Sequence, residues 1–374
     1  HPRRILPSAL RVPYTKRKGI KTMKSFLILV SALLAASPAL AAGEFGTGAA
    51  ELLKFSGYST FRWDKYGAEN SDPDNNMRAS ASVNWLPRLN SFVSGKMNLD
   101  LYSNSSNSIR LADISLSLNI TENFTLTAGQ MKVPFGYAYT RSGGSMYFAD
   151  RAFISSAGDY KNYAGRDNGL CLVARFAPVT VDLGFFNGTG SNGTADNDIN
   201  KRFASRVSAG ALDWLTLGAA FTTIGQPEIE DSLGTIDSWS SHGIDVFGVV
   251  DYPLSGTTDL FFEGEYAILG AEGPEVEGVT INDAGCMSLA LGADISVGDG
   301  FLRAVRPVVR YDMVNPSSVE GSADKDNSTA LDFCVGLDLT SGKNTLMLGG
   351  RSYGFEDESI EGYTDIYLNW RMNF

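Results

Sequence analysis

From about Leu52 onward, hydrophobic and polar residues alternate along most of the chain with a period of two. Residues 114–120 read Ile-Ser-Leu-Ser-Leu-Asn-Ile, and residues 365–374 read Asp-Ile-Tyr-Leu-Asn-Trp-Arg-Met-Asn-Phe. This period is that of a half-buried β-strand, whereas an amphipathic helix repeats every 3.6 residues. Strands of this kind have water on one face and an apolar environment on the other.

Sixteen segments with this alternation are predicted to be strands. They span residues 52–66, 76–86, 92–103, 109–120, 124–133, 167–177, 179–189, 201–212, 215–225, 241–253, 257–270, 286–298, 301–314, 328–341, 345–355 and 360–374. Most are around ten to fourteen residues long, which suits tilted strands that cross an outer membrane.

The connections between these strands alternate between short and long. Short ones are predicted at 87–91, 121–123, 178, 213–214, 254–256, 299–300 and 341–344, and long ones at 67–75, 133–166, 190–200, 226–240, 271–285 and 315–327. Two further links, near 104–108 and 356–359, are short but fall on the long side. Short turns at one end and long loops at the other, with an even strand count, are typical of bacterial outer-membrane barrels. The chain is therefore predicted to be an all-β protein, a transmembrane antiparallel β-barrel of 16 strands.

The N-terminal region differs from the rest. Residues 23–41 have the features of a secretory signal peptide: a basic start at Lys24, an apolar run over 26–36 and a small-x-small cleavage site at 39–41. We expect residues 1–22 to be an upstream, non-native extension and residues 42–374 to form the barrel domain. The apolar run is too short to cross a bilayer as a helix.

Charge narrows the function classes. Eight of the 31 Lys and Arg residues precede Ala42, and none of the 42 Asp and Glu residues does, so residues 42–374 carry 23 basic and 42 acidic groups and a net charge of −19. A chain this acidic is a poor binder of nucleic acid. Cys171, Cys286 and Cys334 show no metal-ligand spacing, and each lies in a predicted strand, which favours a packing role over a disulfide framework.

One connection, from the strand at 124–133 to residue 167, is much longer than most connections in compact domains, and loops of that length are usually functional. Between Gln130 and Asp167 the chain contains the basic residues Lys132, Arg141, Arg151, Lys161 and Arg166 and the acidic residues Asp150, Asp159 and Asp167. We expect this long third external loop to fold into the pore, where its net positive charge would concentrate anions. Two alternatives stay open: the loop is an outward lid, or its arginines pair with neighbouring acids or the wall and leave little net field.

Two blocks resemble a known family. Gly-Gln-Met-Lys-Val-Pro-Phe-Gly at 129–136 and Phe-Phe-Asn-Gly-Thr-Gly-Ser-Asn-Gly at 185–193 are similar to two stretches of the phosphate-selective porin O and P family. The resemblance implies a sixteen-stranded outer-membrane porin, usually trimeric, whose third long loop narrows the pore. It also implies anion selectivity from lysines at the constriction and arginines along the lumen. Only Lys132 can be carried over with its motif.

The strand period also assigns charged residues to the lumen. The basic residues expected there include Arg62, Arg78, Lys96, Arg175, Arg206 and Arg310. Acidic residues such as Asp64, Asp113 and Glu265 are expected on the same wall. Opposed charges of this kind solvate a channel and can give a transverse field, and charged rings set ion selectivity.

Taken together, these patterns predict a porin of the bacterial outer membrane for passive diffusion of small hydrophilic solutes. We expect an anion preference, with phosphate-type oxyanions among the candidates, and no cofactor, metal or enzymatic activity. The expected partners are inorganic or small organic ions, membrane lipid and lipopolysaccharide, two further copies in a homotrimer, and the barrel-assembly machinery through the C-terminal Phe374. A general or cation-preferring porin is one alternative, for which the acidic balance argues. An adhesin or structural barrel is the other.

Overall fold

The computed structural model describes residues 54–67, 75–102, 108–191, 201–226, 229–231, 234–236, 239–270, 281–316, 318–319, 327–339, 343–357 and 360–374. The predicted extension 1–22 and signal peptide 23–41 lie outside these ranges, as do most residues of the other long loops. No helix in the described part of the chain is long and apolar enough to cross a membrane.

Sixteen antiparallel strands form one closed barrel. They are β1 (Phe55–Lys65), β2 (Asn75–Trp85), β3 (Val93–Tyr102), β4 (Ile109–Asn119), β5 (Phe124–Lys132), β6 (Arg166–Phe176), β7 (Val179–Phe186), β8 (Arg202–Leu212), β9 (Leu215–Gln226), β12 (Trp239–Ser255), β13 (Thr258–Leu269), β15 (Ala284–Ser296), β16 (Leu302–Asn315), β18 (Ser328–Leu339), β19 (Asn344–Phe355) and β20 (Tyr363–Asn373). Every predicted strand corresponds to one of these, which confirms the count and the antiparallel order.

Short strands, helices and 3-10 turns lie within the long connections. β10 (Ile229–Asp231) pairs with β11 (Gly234–Ile236), and β14 (Ile281–Asn282) pairs with β17 (Ser318–Val319). The segment between β5 and β6 holds two helices, α1 (Tyr137–Thr140) and α2 (Gly158–Ala164), and two 3-10 turns, Gly143–Ser145 and Phe153–Ser156.

The barrel closes where β1 pairs with β20, from Tyr58 opposite Asn373 to Lys65 opposite Ile366. At the short-turn end, the Phe374 N–H donates to the Gly57 carbonyl at 3.0 Å, and the Gly57 N–H donates back at 2.9 Å. The first and last strands therefore complete the hydrogen-bonded ring, and neither is left as an edge of the sheet.

Polarity across the barrel wall is inverted relative to a soluble protein. Phe61 is 52% exposed and Trp370 is 45% exposed on the outside, whereas Arg62 and Arg371, one residue further along each strand, are 7% and 3% exposed. An apolar exterior around a polar interior is the arrangement of strands that face lipid and enclose a lumen. The alternation seen in the sequence therefore reports a transmembrane barrel.

The inner wall is not polar throughout, as the prediction of a polar lumen would require. Small or apolar residues of several strands form a cluster that contacts the segment between β5 and β6, and we call it the core cluster. Its wall members are Cys171, Phe186, Ala204, Ala220, Ile224, Ala267, Leu269, Ala284, Cys286 and Val314. All three cysteines are buried, in agreement with a packing role. This part of the inner wall is covered by the segment between β5 and β6 and not by water.

Candidate pore constriction

The segment 133–165, called here the constriction loop, folds into the barrel. Val133, Phe135, Ile154, Tyr160 and Tyr163 have no exposed surface and pack against the core cluster. Side chains fully buried against an inner wall are incompatible with an outward lid. The predicted inward course of the third loop is therefore confirmed.

The motif at 129–136 explains how the loop turns inward. Lys132 ends β5, and Phe135 is buried in the core cluster. Gly136 follows with a φ of 77°, and a Cβ at that position would lie 2.4 Å from the Tyr160 hydroxyl. Only glycine adopts this conformation without strain in so little space. The residues that carry the family resemblance thus form the turn that directs the loop into the lumen.

The second motif has a structural role as well. The Asp167 carboxylate, at the start of β6, accepts the backbone N–H groups of Asn168 and Gly188, each at 2.8 Å. Gly188 and Gly190 have positive φ values of 89° and 77°, which turn consecutive N–H groups toward one point and form an anion-binding concavity. The Asn-Gly-Thr-Gly stretch therefore binds the chain's own carboxylate.

Wall arginines hold the far part of the constriction loop through its backbone. The Arg310 guanidinium donates to the Arg151 carbonyl at 3.0 Å, and Arg351 donates to the same carbonyl at 2.8 Å. Arg371 donates to the carbonyls of Gly143, at 2.8 Å, and Phe148, at 3.3 Å. These residues are almost fully buried. They act as clamps on the loop. Arg310, which was expected in the lumen, is therefore buried against the loop and does not face open water.

One carboxylate of the loop also binds an arginine of the wall. Arg62 of β1 forms an ion pair with Asp150 at 2.6 Å, in addition to its pair with Asp64. Burial alone would raise the pKa of Asp150, but the guanidiniums of Arg62 and Arg351 outweigh it and lower that pKa below the ordinary value. The loop acid is therefore satisfied by the wall and not by its neighbour Arg151.

Lys132 and Arg151 come together at the C-terminal end of α1. The Lys132 ammonium donates to the carbonyls of Tyr139, Thr140 and Arg141 at 3.0, 2.9 and 3.1 Å. One Arg151 nitrogen donates to the carbonyls of Ala138, Tyr139 and Arg141 at 3.1, 3.0 and 2.8 Å. In the part of the chain that the structure describes, neither cation forms an ion pair with a carboxylate.

Arg151 lies in a buried environment that also contains Arg166. Burial lowers the pKa of the Arg151 guanidinium and Arg166 acts in the same direction, whereas Tyr58, Tyr139 and Asp100 act in the opposite one. Carbonyl oxygens carry only partial charges, so hydrogen bonds to them orient the two cations without cancelling their charge. Neither charge is therefore neutralised by a direct ion pair with a described carboxylate at the C-terminal end of α1.

The side chains of the other three predicted constriction residues have different surroundings from one another. Arg141 forms an ion pair with Glu263 of β13. Arg166 pairs with Asp113 at 2.7 Å, as the alternative of pairing with the wall required. Lys161 lies on the exposed side of α2, away from the Lys132–Arg151 group. The structure therefore brings Lys132 and Arg151 together and places Arg166 directly opposite Lys132 in the register of β5 and β6, but with a carboxylate partner of its own.

The predicted lumen residues all lie on the inner face, mostly in ion pairs. Lys96 binds the Asp113 carboxylate at 2.7 Å and Arg78 binds Asp64 at 3.2 Å. Arg206 binds Asp182 at 2.8 Å and also donates to the Thr140 hydroxyl of the loop. Arg175 is exposed near the short-turn end and donates to Thr125 at 3.4 Å. The period of two in the sequence does not show the partners of these side chains.

A polar cavity lies between α2 and the long-loop ends of the wall. It has a volume of about 330 Å³, and its charged lining residues are Arg110, Lys161, Arg166 and Arg202. Sequence reasoning missed Arg110, because by simple alternation it shares a face with the outward-pointing Ile114. The register shifts by one residue between Asn98 and Leu99, opposite Ala112, and this bulge turns Arg110 inward. No group of three or more His, Cys, Asp or Glu side chains that could hold a metal ion occurs in the described ranges.

Comparison with known proteins identifies the fold. No family model and no curated protein matches the chain. Among solved structures, the outer membrane channel DcaP of Acinetobacter baumannii is similar over 86% of this chain and 96% of its own, with a TM-score of 0.58 and 13% identity. The anion-selective porin from Comamonas acidovorans is similar over 86% and 99%, with a TM-score of 0.57 and 12% identity. The chain has the fold of an outer-membrane porin.

A third similar structure is the trimer form of OmpT, an outer membrane protein of Vibrio cholerae, over 86% of this chain and 98% of its own, with a TM-score of 0.53 and 12% identity. The similar structures share only 11–14% of their residues with this chain, so the similarity concerns the barrel fold and not individual side chains. The constriction must therefore be interpreted from this chain's own residues.

Proposed function

We propose that the chain is a porin of the bacterial outer membrane that lets small hydrophilic solutes diffuse passively and prefers anions. The closed barrel with an apolar exterior supports a pore in the membrane. The constriction loop supports selection, because it narrows the lumen with side chains fixed in place. The similar fold of an anion-selective porin adds weaker support.

The observation that carries the anion preference is the Lys132–Arg151 group. Most charges of the wall are balanced locally: Arg62 and Arg78 share Asp64 and Asp150, while Arg310 and Arg351 share Asp312 and Asp332. Lys132 and Arg151 bind neutral carbonyls instead. Uncompensated positive charge in a narrow passage with low-dielectric walls attracts anions and repels cations.

A second feature supports the direction of entry. The cavity lined by Arg110, Lys161, Arg166 and Arg202 lies on the long-loop side of the constriction, which is the extracellular side in barrels of this kind. Two carboxylates near this cavity, Asp113 and Asp167, are engaged by Arg166 and by backbone N–H groups. An anion that enters from outside would therefore meet positive charge before it reaches Lys132 and Arg151.

The finer substrate class is a phosphate-type oxyanion. The family resemblance of the two motifs supports it, and guanidinium groups bind tetrahedral oxyanions well. Arginines bind many oxyanions, so inorganic phosphate and sulfate are compared as blockers of chloride current. Phosphate selectivity requires block by phosphate at lower concentration than by sulfate, whereas equal block would leave only a general anion preference.

Homotrimer formation, contact with lipopolysaccharide and recognition of the Phe374-ended strand by barrel-assembly machinery belong to the same proposal. The trimer form of a structurally similar outer membrane protein supports the first of these. Migration of native and cross-linked protein in detergent tests it. A single band at the mass of one chain under both conditions would count against the trimer.

The decisive experiment is single-channel recording in planar bilayers with a potassium chloride gradient. We expect discrete conductance steps and a reversal potential on the chloride side. A potassium-selective reversal potential would favour the cation-preferring alternative, for which the net charge of −19 in residues 42–374 argues. Absence of conductance in correctly folded protein would favour an adhesin or structural barrel.

A further inference from the structure

A pair of carboxyl groups lies beneath the base of the constriction loop, apart from the cations described above. Asp245 of β12 has no exposed surface and Glu265 of β13 is 3% exposed. The register places Asp245 opposite Ala267 and Glu265 opposite Phe247, so the two acids are diagonal neighbours on the inner face of the barrel. Side chains in this relationship can reach each other.

Glu265 binds the loop directly. One carboxyl oxygen accepts the Ala138 N–H at 2.7 Å, and the other accepts the Tyr160 hydroxyl of α2. The Asp245 carboxyl lies against that of Glu265 and against the backbone N–H groups at the start of α1. Neither Asp245 oxygen meets strict hydrogen-bond geometry with a described residue. The pair thus contacts both helices of the loop.

The surroundings of the pair provide no counter-ion. The titratable groups that face it are Tyr137 of α1, Tyr160 of α2, Glu263 of β13 and Cys286 of β15. The flanking strand β9 contains no charged residue, and Arg141 is engaged by Glu263. No ion pair within the described ranges includes Asp245 or Glu265. Two ionised carboxylates this close in a buried site strongly disfavour each other.

We propose that Asp245 and Glu265 share one proton and that this singly charged pair positions the constriction loop. With the proton present, one carboxyl donates to the other while Glu265 still accepts from Ala138 and Tyr160. When hydroxide removes the proton in alkaline solution, two negative charges occupy one buried site. Their repulsion releases the base of the loop from the wall. The inference goes beyond the proposed function, because it concerns how the loop is held and not which ion passes.

Cys286 can report the position of the loop without any ion flow. Its thiol is fully buried in the core cluster and lies diagonally across from Glu265, since Ala267 is opposite Cys286 and Glu265 is opposite Ser288. The experiment uses the folded barrel with Cys171 and Cys334 replaced by alanine, so that Cys286 is the one thiol present. A water-soluble methanethiosulfonate reagent is applied over a series of buffers from neutral to alkaline, and unfolded protein gives the reference for thiol ionisation.

We expect labelling of Cys286 to rise in alkaline buffer more steeply than the unfolded reference, and to lose this additional rise in the matched variant Asp245→Asn. That substitution keeps the size of the side chain but removes one ionisable group. Glu265→Gln is the second variant and is expected to behave in the same way. The same pH profile in the parent and in both variants would overturn the proposal, once heat-modifiable migration on gels shows that each barrel is folded.

Conductance separates this inference from the proposed function. We expect a reversible alkaline step in single-channel conductance, lost in Asp245→Asn, with chloride selectivity retained at neutral pH. A chloride-selective channel with no such step in either protein would refute the shared proton and leave the proposed function intact. A cation-selective channel that shows the alkaline step would support the shared proton and refute the anion preference of the proposed function.

Discussion

Lys132 and Arg151 donate hydrogen bonds to the same two backbone carbonyls, those of Tyr139 and Arg141. The two residues are on different segments, since Lys132 ends β5 and Arg151 lies in the middle of the constriction loop. Their shared acceptors hold both charges at one end of α1. The structure thus concentrates two positive charges at a point where carboxylates are absent from the hydrogen-bond network.

Removing one of these charges should weaken the anion preference. For Arg151→Gln we expect the chloride-to-potassium permeability ratio to fall by about fivefold, because a unit charge about 4 Å from a permeating ion contributes about 1 kcal/mol even in water. The reversal potential in a salt gradient measures the ratio. Arg175→Gln removes an exposed lumen cation that does not contact the loop and should leave the ratio close to that of the parent. Equal effects of the two substitutions would show that the position of Arg151 is unimportant.

The clamp on the far part of the loop should be a major source of stability. Arg310 pairs with Asp332 and Asp312 and also donates to the Arg151 carbonyl. Arg310→Met leaves the buried Asp312 without its arginine and Asp332 with Arg351 alone, and a broken buried pair costs about 3–5 kcal/mol. Urea unfolding in detergent should show that loss, and channel recordings should become noisier. Arg303→Gln is the matched control: its pair with Asp299 is exposed, so its free energy of unfolding should hardly change. A small effect of Arg310→Met would mean that Arg310 is not a major source of stability.

Glycine at position 136 should be required for the turn into the lumen. Gly136→Ala adds a Cβ that would lie 2.4 Å from the Tyr160 hydroxyl, at a φ of 77°. We expect a destabilisation of about 1–3 kcal/mol from strained backbone and displaced contacts. Protease cleavage within the loop should accelerate. Gly158→Ala, in α2, meets no atom within 4 Å and should be neutral or slightly stabilising, because alanine favours helix. Comparable cleavage of the two variants would contradict this role.

The ion pair between Asp150 and Arg62 should make the loop sensitive to strong acid. The pKa of Asp150 is lowered below its ordinary value of 3.8, so the contact contributes stability above that value and loses it as the pH falls through the folded pKa. We expect a change in single-channel conductance only below about pH 3.8. Asp150→Asn should show the altered conductance already at neutral pH and no further acid step. An acid step that persists unchanged in Asp150→Asn would assign it to another carboxylate.

Most of the barrel could be predicted from sequence because the period of two records the environment of each strand residue directly. Phe61 and Trp370 face lipid, and Arg62 and Arg371 face inward, as alternation alone requires. The inward course of the constriction loop could be predicted from its length and position. The bulge at Ala112 could not be predicted, because one unpaired residue leaves no mark on composition. This bulge reverses the face on which Arg110 lies.

The site was harder to predict than the wall. Arg310, Arg351 and Arg371 bind carbonyl oxygens of the loop, and every residue carries such an oxygen, so the sequence does not show which ones are used. Small residues such as Ala204 and Ala267 carry no signal for the lumen, yet together with Cys171 they form the surface on which the loop packs. The partners of Lys132 are the carbonyls of Tyr139, Thr140 and Arg141, and they depend on how α1 folds.

The seam between β1 and β20 constrains how the barrel is made. The outer edge of β1 has no partner until β20 has been synthesised and brought alongside it. The eight residue pairs of the seam join the two ends of the sheet. An open edge flanked by lipid-facing side chains is a template for aggregation in water. The chain must therefore be kept apart from its own copies during export, and the ring can close only after the whole sheet has reached the membrane.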